Sequence, residues 1–168
     1  ERLLFDNIDS LPEFDVIATN PPWGSHYTKD EMARIAYYYP EIRSGESFSW
    51  FLVKSMRMLR ETGALCFIMP GAVMNVRMHS DIRRFMINSC SITRIEHRPR
   101  LFKNVFSPAV IVDIKRPGKS GDIEILWNDE RYMLNPVRFR KNRDTVFDIN
   151  LSPEDEKIIN KIYSVKHL

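Results

Sequence analysis

Asn20-Pro21-Pro22-Trp23 is the stretch of this chain whose residue types and spacing point to chemistry. An amino group attached to an aromatic ring is a poor nucleophile, because its lone pair is delocalised into the ring. A site that activates it must accept hydrogen bonds from the NH2, drawing the nitrogen towards tetrahedral geometry. The Asn20 side-chain oxygen supplies one acceptor and the Pro21 carbonyl a second, while the two prolines stiffen the backbone that presents them. Trp23 offers a flat face on which a planar base can stack, a contact worth roughly 1–3 kcal/mol. A base inside a duplex reaches such a pocket only by leaving the stack. The plain alternatives are an Asn-Pro turn after a strand and a loop tryptophan anchored at the surface.

Other reactive residue types carry less. His26, His79 and His97 lack partners at metal-ligand spacing, so no metal site is expected. Cys66 and Cys90 form neither a disulfide framework nor a zinc pattern and read as reduced thiols. No cysteine follows a proline, which argues against a thiolate attacking a cytosine ring. Tyr37-Tyr38-Tyr39 either lines a groove or covers the core. Gly63 and Gly71 read as a helix stop and a turn.

The elements that must hold the tetrapeptide are legible from periodicity. Residues 13–19, EFDVIAT, read as a short buried strand stopped by Pro21-Pro22. Thr28 with Glu31 reads as a helix cap inside a long connection that has room to serve as a lid. Ser47 opens an amphipathic helix with Phe48, Phe51, Leu52, Met58 and Leu59 near one face and Lys54, Arg57 and Arg60 elsewhere. A strand, Ala64 to Met69, follows. A second helix is predicted over about 78–88, with Ile82, Phe85 and Met86 inward and Arg83 and Arg84 outward. Ile92 to His97 and Ala109 to Lys115 read as an antiparallel pair, and Asp122 to Trp127 as a further strand. Residues 128–150 read as irregular, and Ser152-Pro153-Glu154-Asp155 starts a last helix. The order implies an α/β fold: the second half of a doubly wound sheet ending in an antiparallel hairpin, with Asn20 at the carboxyl edge where such sheets bind ligands.

The 168 residues suit one domain with a core, and no apolar run reaches the length of a membrane span. Net charge is only +3, but residues 77–143 hold 15 basic and 7 acidic residues. That half is either a phosphate-facing surface or a solvated face with scattered arginines.

FDVIATNPPWG resembles the catalytic motif of amino-methyltransferases, written as Asp/Asn/Ser-Pro-Pro plus an aromatic. Together with ESFSWFLVKSMRMLRETGALCFIMPGAVMNV and IRRFMINSCSITRIEHRPRLFKNVFSPAVIVDIKR, it is similar to the gamma group of N6-adenine DNA methyltransferases found in type I and type IIG restriction–modification enzymes. The likeness covers roughly residues 3–117 and, more weakly, residues 147–163. It implies a Rossmann-like S-adenosylmethionine-dependent methyltransferase sheet and site-specific methylation of adenine N6 in double-stranded DNA with the adenine flipped out. Asn20, Pro21, Pro22 and Trp23 become the catalytic set. Phe102, with Phe106 as runner-up, joins Trp23 against the base. Asp6 and Asn20 face the cofactor.

The resemblance divides the chain into residues 1–120, the later half of the catalytic domain, and residues 121–168, an extension and linker towards a target-recognition domain. A separate specificity subunit, or fused recognition and nuclease domains, would be partners, in the cytoplasm of a bacterium or archaeon. The Gly-rich loop and ribose-binding acid of such enzymes are expected upstream of Glu1. The 168 residues alone are therefore expected to be inactive and to bind S-adenosylmethionine weakly or not at all. A calorimetric titration giving tight one-to-one binding would contradict this. Two alternatives stand beside the leading reading: an amino-methyltransferase acting on RNA bases or protein glutamine, and a non-catalytic DNA-binding or scaffold domain.

Overall fold

The computed structural model describes residues 2–5, 12–103, 107–116 and 121–165. A six-stranded sheet is formed by β1 (Phe14–Thr19), β2 (Leu59–Pro70), β3 (Ser91–Arg98), β4 (Ala109–Lys115), β5 (Ile123–Trp127) and β6 (Glu130–Leu134). Their spatial order is β1-β2-β4-β3-β5-β6. β1 and β2 run parallel, as do β3 and β5. The expected antiparallel pair is β3 and β4, and β4 wedges itself between β2 and β3, antiparallel to both. β4 can sit there because Val110, Val112 and Ile114 are all buried, as a central strand requires. β1 ends the sheet with Phe14 and Val16 exposed, leaving an apolar edge strand bare on one side.

The helices are α1 (Lys29–Tyr38), α2 (Ser47–Met58), α3 (Ser80–Ser89), α4 (Val137–Lys141) and α5 (Pro153–Ser164). Capping boxes at Thr28–Glu31 and Ser152–Asp155 start α1 and α5, as their sequences predict. Tyr39 belongs to the core and its hydroxyl donates to the Leu4 carbonyl at 3.0 Å. Among the described residues no helix is long and apolar enough to cross a membrane.

Five expectations fail. The first strand is not a buried one: β1 stands at the edge of the sheet, with Phe14, Asp15, Val16 and Ala18 exposed and Ile17 and Thr19 half-buried. Gly63 does not end α2. Leu59 is already extended, and Gly63 lies inside β2, where an added Cβ would come within 2.6 Å of the Leu59 side chain and 2.9 Å of the Arg60 carbonyl. α2 is not a half-exposed helix: Trp50, Val53 and Lys54 are buried along with its apolar face. Residues 128–150 are not irregular, since β6 and α4 lie there. β6 was hard to read because only Leu134 of its five residues is buried. Finally, Arg83 does not point outward. It is fully buried and donates to four backbone carbonyls.

The stretch read as extension and linker joins the sheet over much of its length. Ile123 and Ile125 are fully buried, and Phe139 stacks on Phe147 at 4.5 Å. α5 by contrast leaves Ile158, Ile162 and Tyr163 exposed.

Two histidines tie this packing to pH. His79 is buried against Phe48, and His97 stacks on Trp127 with ring centroids 4.0 Å apart. Burial lowers the pKa of both below the ordinary histidine value. A lowered folded pKa means that below about pH 6.5 the unfolded chain takes up more protons than the folded one. Stability is therefore expected to hold above neutrality and to fall as pH drops from 6.5 through the lowered folded values. Thermal midpoints recorded between pH 8 and pH 5 check the sign; a midpoint that rises on acidification would refute it.

Candidate active site

β1 ends at Thr19, and Asn20 follows, exposed at the carboxyl edge of the sheet. Pro21 is buried, Pro22 is exposed, and Trp23 is half-buried. The chain leaves the tetrapeptide through Gly24 at φ +68°, a left-handed turn that a side chain would strain. The buried Ser47 hydroxyl, in the first turn of α2, donates to the Pro22 carbonyl at 2.6 Å. That bond fixes the peptide plane between Pro21 and the Trp23 ring.

In the sequence Ser47 reads only as a helix start. Its position at the head of an apolar helix gave no sign that its hydroxyl reaches back 25 residues. In the full-length protein, Ser47→Ala is expected to lower kcat for methyl transfer about tenfold with KM for DNA unchanged, because it frees the loop without touching substrate. Ser47→Thr should restore the rate. An equal loss in both variants would show that the hydroxyl does not position the loop.

Trp23 meets Phe102 edge to face, with centroids 5.9 Å apart and planes 76° apart. The pair expected to hold a base is thus in contact across the site, although 79 residues separate its members in the chain. A base slipped between two parallel rings needs about 7 Å, two stacking distances of about 3.5 Å. Rings in edge-to-face contact at this separation leave no room for a base between them. Asp6 and Phe106 lie outside the described residues.

The arginines expected as a phosphate surface divide into two groups. Arg83 holds backbone carbonyls, Arg138 pairs with Asp148 and Glu156, Arg94 pairs with Asp113 and Glu96, and Arg116 and Arg140 donate to the carbonyls of Leu59 and Ile87. These are structural. Arg77, Arg84 and Arg143 instead gather 3.7–4.0 Å from the single carboxylate of Asp144, with side chains 81, 55 and 89% exposed. Their surplus positive charge faces water.

Burial raises the thiol pKa of Cys66 and pushes that of Cys90 up to about 12, so neither is a poised nucleophile. Among the described residues no three His, Cys, Asp or Glu side chains are grouped to hold a metal ion.

The family model for the Eco57I restriction-modification methylase matches residues 3–103, which contain both Asn20–Trp23 and Phe102. The chain belongs to this family. Within reach of its sequence are the type II methyltransferase M.VspI of Vibrio sp. (strain 343) and M.HincII of Haemophilus influenzae. The first is 24% identical over 158 residues, covering 92% of this chain and 38% of M.VspI. The second is 29% identical over 139 residues, covering 68% of this chain and 28% of M.HincII. The chain therefore spans well under half the length of either relative. In fold it resembles the methyltransferase subunit of a type I restriction-modification system from Streptococcus thermophilus. That match has a TM-score of 0.55 and 18% identity, and it covers 95% of this chain and 33% of the subunit. The α/β sheet read from the sequence is accordingly that of the methylase family.

Proposed function

We propose that this chain carries the target-base half of a DNA methyltransferase active site, and that the whole enzyme methylates adenine at N6 within a restriction–modification system. The observation that carries the reading is the Asn20–Trp23 turn at a strand's carboxyl edge with Phe102 in contact with Trp23 across the slot. In this reading a flipped adenine enters as one ring swings aside and stacks on Trp23. Its amino hydrogens go to the Asn20 oxygen and the Pro21 carbonyl. The nitrogen lone pair is thereby aimed out of the ring plane, and positioning with electrostatics supplies the acceleration. No general base is required, because the methylated aminium is strongly acidic and loses its proton after transfer.

S-adenosylmethionine, when bound, supplies an electrophilic methyl group. The residues present fit part of its site: Asn20 stands at the sheet's bare end, on the boundary between the base slot and the ground beyond β1. Among the described residues, Gly24, Gly45, Gly63, Gly71 and Gly121 are too far apart in sequence to form a close-set loop that would cradle its methionine part. Asp6 is the candidate for its adenine part. The remaining contacts, the specificity subunit or fused recognition domain, and the recognition sequence belong to the whole protein.

The test is to give the full-length protein labelled S-adenosylmethionine and unmethylated DNA and to identify the product by nucleoside mass spectrometry. N6-methyladenine is expected. Label found only in RNA or protein would keep the amino chemistry and replace the substrate. No transfer at all would favour a scaffold role.

A further inference from the structure

A second hollow of about 400 Å³ opens at the same carboxyl edge as Asn20, farther along the sheet. It lies where β2 gives way to residues 71–75, by His97 near the end of β3 and Trp127 at the end of β5, and where β4 begins after Pro108. Residues 146–150 form its remaining wall. In open α/β sheets this edge is where ligands bind, and the volume suits a small organic group.

Its chemistry is specific. Asn75, Ser107 and Asn150 are exposed polar groups in its lining, while Pro108, Val110 and Ile149 are apolar. Two further lining residues hold atoms shut off from solvent with no partner: His97 Nδ1 and Asp148 Oδ1. Neither atom is open to the hollow, so a group seated in it meets the Asn75, Ser107 and Asn150 side chains instead. Among the described lining residues there is no lysine or arginine, and Asp148 is already neutralised by Arg138. Such a lining supplies no positive charge to hold a phosphate or carboxylate. It fits a flat, neutral heterocycle with both N–H donors and acceptors, and side-chain amides are well matched to such an edge.

The charged groups lie just outside. Arg77 follows Asn75 by two residues, and Arg143 precedes Val146 by three. The Arg83 guanidinium, bonded to Val76 O and Asp144 O, holds these two segments together. Two members of the exposed arginine cluster, Arg77 and Arg143, therefore adjoin segments of the lining. A neutral pocket beside a cationic rim is the pattern of a base site with its phosphates held outside. Phe102 and Ser107 also belong to one connection between β3 and β4, so the base slot and this hollow share a segment.

We propose that this hollow is a second nucleobase site, which takes a base of the same DNA several steps from the target adenine. The proposal rests on the reading of the first site as a DNA adenine methyltransferase site. β4 and β3 are two and three strand steps from β1, about 10–15 Å. That separation corresponds to about three or four base steps along a duplex. The catalytic half would then itself read part of the recognition sequence.

The test places 2-aminopurine, one position at a time, through an oligonucleotide containing the methylation site, and mixes each with the full-length protein. A base leaving the stack brightens. The expected result is a rise at the target and at one further position about three or four steps away. Asn75→Trp, which fills the mouth from an exposed position, should abolish only the second rise. It should also relax discrimination at that base about tenfold in kcat/KM. A rise at the target alone, or a second rise unaffected by Asn75→Trp, overturns the second site and leaves the proposed function standing. No rise anywhere, with no methyl transfer, removes both.

Discussion

Asn20→Ala in the full-length protein is expected to reduce single-turnover methyl transfer by about 10²–10³-fold with DNA binding nearly intact. Mutagenesis of polar groups that stabilise a transition state typically costs this much. Asn20 is exposed at the strand end and the Pro22 carbonyl next to it is already engaged by Ser47. The alanine variant should therefore fold, and its loss should appear in kcat. Asn20→Asp separates the roles: it keeps an acceptor oxygen at the same reach and should retain more activity than alanine. If alanine and aspartate variants were equally inactive, acceptance of the amino hydrogens would not be the role of Asn20. If both were fully active, the tetrapeptide would be an ordinary turn after β1. Trp23→Ala is a different perturbation: it removes a stacking face worth roughly 1–3 kcal/mol and should weaken capture of the flipped base.

The part of this site that could be read from sequence is the part made of neighbours in sequence. Asn20, Pro21, Pro22 and Trp23 announce themselves because four consecutive residues carry the chemistry and a strand of plain composition precedes them. Phe102 was reached only through family likeness, since nothing local tells an aromatic in a loop from one in the core. Its contact with Trp23 depends on β4 returning between β2 and β3. Hydrophobic alternation reports whether a strand is buried but says nothing about which strands it lies between. For that reason the antiparallel pair was legible and its place in the sheet was not. Ser47 and the second hollow share this limit, because each is assembled from segments that only the fold brings together.

Charge was the least legible property, and Arg83 shows why. Helical periodicity put it beside Arg84 on the outer face of α3, yet it is fully buried while Arg84 is exposed. Residues 143–149 lie across that face and shut Arg83 in. Its guanidinium donates to Val73 O at 2.6 Å, Val76 O at 2.8 Å, Asp144 O at 2.9 Å and Thr145 O at 3.0 Å. Four carbonyls from two segments thus converge on one planar cation, an arrangement that a lysine's compact ammonium cannot reproduce. Burial lowers the Arg83 pKa, although the nearby Asp144 carboxylate opposes that shift.

Arg83→Met keeps most of the bulk and removes all four bonds. It is expected to destabilise the protein by about 3–5 kcal/mol, because four buried carbonyls lose a charged donor at once. For a unit of this size that corresponds to a thermal midpoint lower by about 10 °C. Arg84→Met, one residue on and exposed, should stay within about 0.5 kcal/mol of the parent. Arg83→Lys should fall between them. Equal midpoints for the Arg83 and Arg84 variants would mean that the buried fork contributes nothing net. The same bonds tie residues 73–76 to 144–145, one side of the second hollow to the other. Heating is therefore expected to loosen that edge in Arg83→Met before the sheet melts, and hydrogen exchange at 74–76 and 145–147 should rise ahead of exchange in β2 and β4. Uniform exchange across all four segments would place Arg83 in the general stability of the fold rather than in the hold on this edge.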